Sequence, residues 1–504
     1  MRLLNVIYGL SPFLIALIFT YFTYASLPTV WLAYGIWLTM VVGFYIFLNF
    51  YRIARNIKYY ELKYSLPEKA FRVASFVTSF NEDPEIVKGT LISVKLATKR
   101  YGDVYLLDDS TDKRISEELR TFCEKHGIIY LHRENRRGFK AGAINDALRA
   151  VGDKYDLVAI FDADQRPVEN FFEHVLPYFE DPKVALVQVP QTYSELYSGV
   201  SIASKYQQEP FLRVIMRGRS YSSAFSLGSG SVFRISALKE VGYMDESSIT
   251  EDAATSIKLH DKGYTSVYID APLIWYGEPP PDLKAYLGQQ SRWSFGYFQL
   301  TKRILTSNLS FSQFMDYYSG FLYWLKVGPL TVIEFLGPIV FLLFGTPFLI
   351  LNPLIYLMTY VPYLIISIII FVHFMRGKGE YGVKGFFYHQ SLQLLEYFTV
   401  TLSFISWILR RKRPFKVTPK GIGRFDLKST FPSLVVLVLL VLALIKGFLW
   451  LAFVKNDVLY YAIIVNMFWA AYQIIFLAGG LWISNKIMER EEYIAEERLI
   501  NNLS

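Results

Sequence analysis

An α/β domain with a mostly parallel sheet, set into a bundle of about six membrane-spanning helices, is the architecture this sequence predicts. Three observations carry it. Strand-like and helix-like segments alternate from Phe71 to Leu283. Six long apolar runs flank that stretch. Lys and Arg cluster beside the runs on only one side of the implied bilayer.

The chain has 504 residues, 53% of them hydrophobic. The apolar runs at residues 7–25 and 30–50 are each near the roughly 20 residues a helix needs to cross the hydrocarbon core. They resume at 328–350, 354–374, 434–454 and 459–483. A buried core helix explains any one run, but the near absence of charge over such lengths favours spans. A signal peptide is the alternative for the first run. Arg2 is its only nearby basic residue and a second run follows at once, so a helical hairpin fits better.

Arg52, Arg55 and Lys58 follow the second run. Arg376, Lys378 and Lys384 follow the fourth, and Arg410, Arg411, Lys412 and Arg413 precede the fifth. The remaining linkers are nearly uncharged. This pattern places both termini and the large domain in the cytoplasm, in a multi-pass protein of the cell membrane. Residues 385–409 are apolar but carry His389, Gln390, Gln393 and Glu396 between two basic clusters, which reads as an amphipathic helix in the inner interface. The chain then divides into a membrane hairpin (1–55), a catalytic-type domain (56–300), an interfacial helix (301–327), a membrane pair (328–375), an interfacial helix (385–409), a basic loop (410–430), a second membrane pair (431–484) and a tail (485–504). The net charge of +8 suits the lipid bilayer of the inner leaflet as a partner, and no nucleic-acid partner is expected. A single cysteine, Cys123, excludes an intrachain disulfide framework.

Within the domain, residues 71–80 form a strand. Asp83-Pro84 then starts a helix to about Thr98. Further strands are expected at 104–107, 128–132, 157–161 and 184–189, and a helix at 141–151. In such sheets ligands collect at the carboxyl ends of the strands. Asp108-Asp109 and Asp162-Ala163-Asp164 both end strands, so they should face one crevice.

Asp162 and Asp164 suit Mg²⁺ or Mn²⁺, which take a few carboxylates together with substrate phosphates; an acidic turn is the plain alternative. Asp108 and Asp109 suit nucleotide contact, against helix capping by Ser110 or Thr111. Thr78 and Glu82 follow the first strand and suit the same nucleotide. Lys140 precedes a helix, where it can reach a diphosphate, or simply face solvent. In Thr250-Glu251-Asp252, Thr250 suits an N-cap and the acids suit a first helical turn. Asp252 equally suits a general base. In Gln289-Gln290-Ser291-Arg292-Trp293, Arg292 suits a diphosphate, Gln289 suits sugar hydroxyls or phosphate, and Trp293 suits a sugar face or a membrane anchor. Glu334 and Lys446, charges inside spans, are expected to pair with each other or to meet sugar hydroxyls.

Taken together these motifs resemble the processive family 2 glycosyltransferases, the cellulose, curdlan, chitin and hyaluronan synthases. The resemblance covers about residues 71–428. It implies a GT-A domain, Rossmann-like, a nucleotide diphosphate sugar as donor with Mg²⁺ or Mn²⁺, and a growing polysaccharide passed through the membrane. It makes Asp252 the base and places Trp293 at the acceptor end. The segment Phe225–Ser231 resembles the acceptor-side F-x-x-G-S-G element, which assigns Gly228, Ser229 and Gly230, with Glu251, to the acceptor. Phe415, Val417, Thr418 and Lys420 match the gating loop of cellulose-type synthases, so UDP-glucose and a β-glucan are expected. UDP-N-acetylglucosamine or GDP-mannose, or a short lipid-linked product, are the alternatives. Two spans precede the domain and only a charged tail follows the last, so regulation by a cyclic dinucleotide within this chain is not expected.

Overall fold

The computed structural model describes residues 2–57, 69–194, 196–376, 381–411 and 426–486. Among the described residues nine strands run in chain order as β1 (Val73–Ser79), β2 (Gly102–Asp108), β3 (Ile129–His132), β4 (Leu157–Asp162), β5 (Arg166–Pro167), β6 (Val184–Gln188), β7 (Ser231–Arg234), β8 (Thr265–Tyr268) and β9 (Ile274–Tyr276). Seven form one sheet in the order β3-β2-β1-β4-β7-β6-β8, and β5 pairs with β9 apart from it. All pairings in the large sheet are parallel except those of β7, which runs antiparallel to β4 and β6. The expected mostly parallel sheet is therefore present, with β7 as its one reversed strand.

The central strands are apolar because helices cover both faces of the sheet. Val73 and Val77 of β1 share one core with Leu91, Leu119 and Cys123 from the helices Pro84–Thr98 and Lys113–Lys125. Ala74 and Phe76 point the other way, into a core with Ile144 and Leu148 of the helix Phe139–Val151. Alternation along a strand thus builds two cores at once.

Helix starts follow local capping chemistry. Asp83 accepts from the amide of Glu85 at 2.9 Å, with Pro84 at the first helical position. Asp112, rather than Ser110 or Thr111, caps Lys113–Lys125 by accepting from the Arg114 amide at 3.0 Å. Ser110 is instead turned back onto Asp108.

Among the described residues, six helices are long and apolar enough to cross a membrane: Arg2–Thr23, Leu27–Arg55, Phe311–Phe344, Pro353–Met375, Leu427–Leu451 and Asp457–Asn485. The sequence boundaries shift in two places. The interfacial helix expected at 301–327 is divided between two elements. Asp282 caps a helix Leu283–Thr306 through the Ala285 amide at 2.8 Å, and Ser310 opens the third long helix at Phe311 with a capping box to Gln313. The stretch expected as one helix at 385–409 is two, Gly382–Leu395 and Tyr397–Ile408, broken at Glu396. Glu334 and Lys446 do not pair. Lys326, two turns away on the same long helix, reaches Glu334 first, and Lys446 donates to the carbonyl of Leu343.

The α/β domain docks on the bundle through Asp316, whose side chain is 3% exposed. Its carboxylate accepts from Arg52 at the end of the second long helix and from the Ser223 hydroxyl of the domain. Its carbonyl accepts from Arg219 at 2.5 Å, and Arg52 also donates to Ser312 at 2.6 Å. Removing one partner of a buried ion pair strands the other charge, at about 3–5 kcal/mol. Arg52 keeps partial solvent access, so Asp316→Ala is expected to cost toward the lower end of that range. The check is thermal unfolding of the purified protein in detergent, where the melting temperature should fall well below that of a surface control such as Glu117→Ala.

Candidate active site

At the carboxyl ends of β1, β2 and β4 lies a cleft of about 280 Å³. Thr78 near the end of β1 and Glu82 just after it line the cleft, with Asp109 after β2. Asp162 and Asp164 come from the end of β4, and Lys140 from the first turn of Phe139–Val151. Gln289, Arg292 and Trp293 close it from the helix Leu283–Thr306. Segments more than 200 residues apart in sequence thus meet in one place, as the strand ends predicted.

Asp108 does not join them. It is buried and accepts from the Ser110 amide and hydroxyl at 3.1 and 2.6 Å and from the Tyr130 hydroxyl at 2.8 Å. It shapes the loop that presents Asp109. Asp109 itself is gripped at both oxygens by Arg133, at 2.9 and 2.5 Å.

Lys140 is the centre of the acidic end of the cleft. Its ammonium donates to Asp162 and, at 2.8 Å, to the carbonyl of Gly228. Burial alone would lower its pKa, but the charges of Asp162 and Glu251, with a contribution from Asp252, more than offset that and raise it. Glu251 and Asp252 occupy the first turn of the helix Glu251–Asp261. Both carboxyls are raised above their ordinary values, chiefly by loss of surrounding water. Thr250 stands at the N-cap position, yet its side chain makes no capping bond. Its hydroxyl meets Ser248, and its methyl packs on Gly296, where an added β-carbon would lie 2.5 Å away. Thr250 therefore seats the Glu251–Asp261 helix against Leu283–Thr306.

Gly228, with φ of +85°, brings its backbone beneath Asp252. A β-carbon there would lie 3.3 Å from Asp252 Oδ2 and 3.5 Å from Lys140 Nζ. The Ser229 hydroxyl accepts from the Asp162 amide at 2.9 Å, tying this segment to the acidic strand end. Gly230, with φ of +62°, leads into β7. Sequence reasoning missed Gln188, which holds the segment from the next strand. Its amide donates to the carbonyl of Ser229 at 2.8 Å, and its oxygen accepts from the Leu227 amide at 2.8 Å. The available signal was a polar residue closing an apolar strand. Tyr193, Gln191 and Glu278 also line the cleft, but they come from loops with no pattern to read.

The helix Leu283–Thr306 is anchored one turn before Gln289. The Tyr286 hydroxyl and the Gln207 amide both donate to Glu396, at the break between the helices Gly382–Leu395 and Tyr397–Ile408. Glu396 is fully buried, and burial pushes its carboxyl up to about 8 against the lowering effect of those two bonds. Gln289 Oε1 is buried with no hydrogen-bond partner among the described residues, an acceptor left open at the cleft. Burial lowers the pKa of Arg292, and the charge of Glu251 opposes that shift. Phe415, Val417, Thr418 and Lys420 lie outside the described residues.

The family model described as "Glycosyl transferase family group 2" matches residues 157–376. Cellulose synthase 2 of Novacetimonas hansenii is 26% identical over 442 residues, covering 81% of this chain and 26% of that protein. The UDP-forming cellulose synthase catalytic subunit of Pseudomonas fluorescens is 30% identical over 291 residues, covering 55% of this chain and 38% of that protein. The UDP-forming cellulose synthase 1 catalytic subunit of Komagataeibacter xylinus is 27% identical over 431 residues, covering 82% of this chain and 56% of that protein. The chain thus spans between a quarter and just over half of these relatives. Among solved structures, a mannosyltransferase from Pyrobaculum calidifontis, in complex with GDP-Man and Mn²⁺, aligns over 75% of this chain and 99% of its own. Its TM-score is 0.54 at 16% identity, a likeness of fold. Motifs and family match agree: residues 157–376 carry a group 2 glycosyltransferase domain, and the chain is similar to cellulose synthases over much of its length.

Proposed function

We propose that the protein is a processive, inverting β-glycosyltransferase that polymerises glucose from UDP-glucose and passes the glucan through its own membrane helices. The observation that carries this reading is the half-buried Asp162–Lys140–Asp252 cluster at the strand ends, closed over by the helix bearing Gln289, Arg292 and Trp293.

Asp162 and Asp164 fit Mg²⁺ or Mn²⁺. They are two hard oxygen donors, and no group of three or more His, Cys, Asp and Glu suited to a metal occurs among the described residues. That suits an ion completed by diphosphate oxygens and water. When bound, the ion supplies neutralising charge to the departing diphosphate. Asp162 would then exchange its Lys140 partner, leaving that ammonium for the phosphates. Arg292 adds a second cation on the same side. Thr78, Glu82 and Asp109 face the nucleotide. Asp252 takes the proton of the acceptor hydroxyl as that oxygen attacks the anomeric carbon. Attack opposite the leaving diphosphate inverts the centre. Trp293 stacks on the terminal sugar, with Glu251 and residues 228–230 beside it. Phe415, Val417, Thr418 and Lys420 close over the donor and exclude water.

Inside the bundle a cavity of about 160 Å³ is lined by Glu334, Asn466, Gln473, Tyr356, Tyr360 and Trp469. Aromatic faces and hydrogen-bonding groups suit a sugar path. The basic flanks support a cytoplasmic catalytic domain in the cell membrane.

Purified protein with Mg²⁺ or Mn²⁺ is expected to incorporate radiolabel from UDP-glucose into long material cleaved by a β-glucanase. Incorporation from UDP-N-acetylglucosamine or GDP-mannose instead, or a short lipid-linked product, would overturn the donor or the processivity. The raised pKa of Asp252 fixes a second outcome. The base must be ionised to act, so the transfer rate should rise with pH through an acid limb centred well above the ordinary aspartate value of about 3.9. Measuring the rate from pH 4 to 8 checks it. Thirdly, Gly228→Ala places a left-handed residue and a β-carbon against Asp252 and Lys140. It should cost about 1–2 kcal/mol of stability, while transfer falls at least about tenfold, a barrier change of about 1.4 kcal/mol, read from melting curves and turnover on the same sample.

A further inference from the structure

Two arginines stand side by side at the nucleotide end of the cleft, and they are bonded in opposite ways. Arg133 uses all five of its N–H groups. Nε and Nη2 grip Asp109 at 2.9 and 2.5 Å, and Nη1 reaches Asp146 at 3.1 Å. The remaining two donate to the carbonyls of Arg137 and Phe139, each at 3.0 Å. A guanidinium has no further donor. Arg133 is a clamp on the loop between β3 and the helix Phe139–Val151, and it occupies the Asp109 carboxylate.

Arg136 sits on that clamped loop and lines the cleft. Its guanidinium carbon lies 3.2 Å from the centroid of the Phe80 ring and 5.7 Å from that of Phe139. Its Nε is buried with no hydrogen-bond partner among the described residues, and Asp109 is 3.9 Å away, beyond hydrogen-bond reach. The platform beneath it is rigid. Asn81, beside Phe80, takes φ of +50° and ties down the facing loop. Its amide donates to the Ser110 hydroxyl at 2.8 Å, and its side-chain oxygen accepts from the Thr111 amide at 2.8 Å. Phe139 takes φ of +49°, uncommon for a bulky residue. Backbone strain of this kind persists where the surroundings hold it and gathers at ligand sites.

We propose that Arg136, laid flat on Phe80 and fixed by Arg133, reads the carbonyl oxygens of the donor's nucleobase and sets the preference between uracil and guanine nucleotides. This rests on the reading of the cleft as a nucleotide-sugar site. A planar guanidinium with open N–H donors matches in-plane carbonyl oxygens, and its stacking on an aromatic ring fixes that plane. Arg133 is a positioning residue in this scheme, and Arg136 is the contact.

The test is calorimetric binding of UDP and of GDP, each with Mg²⁺, to wild type, Arg136→Gln, Arg136→Lys and Phe80→Leu. The expected result is UDP binding weakened about tenfold in Arg136→Gln and a change of at least about threefold in the GDP-to-UDP ratio of Kd. Arg136→Lys should fail to restore the ratio, because an ammonium lacks the planar fork. Phe80→Leu should move the ratio in the same direction, since it removes the face that orients the guanidinium. Equal weakening of both nucleotides with rescue by lysine would mean a phosphate contact and would overturn the base-reading role. Unchanged Kd values in every variant would overturn any donor contact. If wild type binds neither nucleotide, the nucleotide-sugar reading itself fails, a result separate from the other two.

Discussion

One ammonium holds the site together. Lys140 is surrounded by Asp162, Glu251 and Asp252, all half-buried at the floor of the cleft. Three carboxyls so close would repel one another and take up protons without a cation among them. The lysine reaches that position because Phe139–Val151 begins one residue before it, and because the glycine backbone at 228 leaves room for it. The electrostatics therefore dictate much of the local fold: a helix start, a left-handed glycine and a helix whose first turn carries two acids. They also dictate the chemistry. A cation that binds the acidic strand end must compete with Lys140, and winning that contest leaves the ammonium free for an anionic ligand.

The strand ends were legible in sequence because their pattern is physical and repetitive. Apolar runs ending in Asp108 and Asp162 can only be strands covered on both sides, and their carboxyl ends must share an edge. The membrane helices were legible for a similar reason, since length and lack of charge leave few other fates. Helix starts were less so. Asp112 caps a helix for which Ser110 or Thr111 was the expected cap, and Asp282 and Ser310 open helices well before the starts expected at 301 and 328. Among the described motif positions, Thr78, Glu82, Asp109, Lys140, Asp162, Asp164, Gln289, Arg292 and Trp293 line one cleft, whereas Asp108 is turned away and its adjacent acid took the cleft position. Which of two consecutive acids faces outward depends on the twist of the strand end and on Tyr130, neither of which has a local signature. Gln188, Arg133 and Arg136 act through partners distant in sequence, and single residues of ordinary type carry no mark of that.

The coupling between cleft and membrane is built from small, specific contacts. Asp316 joins the second and third long helices to the domain. Glu396 does the same between the helices Gly382–Leu395 and Tyr397–Ile408 and the helix that carries Gln289, Arg292 and Trp293. Both acids are buried and both accept from several donors, so each fixes orientation as well as proximity. The helix that closes the cleft is thereby held in register with the bundle. These two acids add directional contacts to the apolar cores that the domain already shares with the long helices.

The account stands or falls on Asp252 as the group that takes the acceptor proton. The most direct measurement is Asp252→Asn, assayed for UDP binding and for sugar transfer on the same preparation. Asparagine keeps the size and removes the base. The account predicts UDP affinity within about threefold of wild type and a loss of transfer of at least about a thousandfold, of the order expected for a removed general base. Transfer at the wild-type rate in that variant would contradict it, and would require the proton acceptor to be sought elsewhere in the cleft.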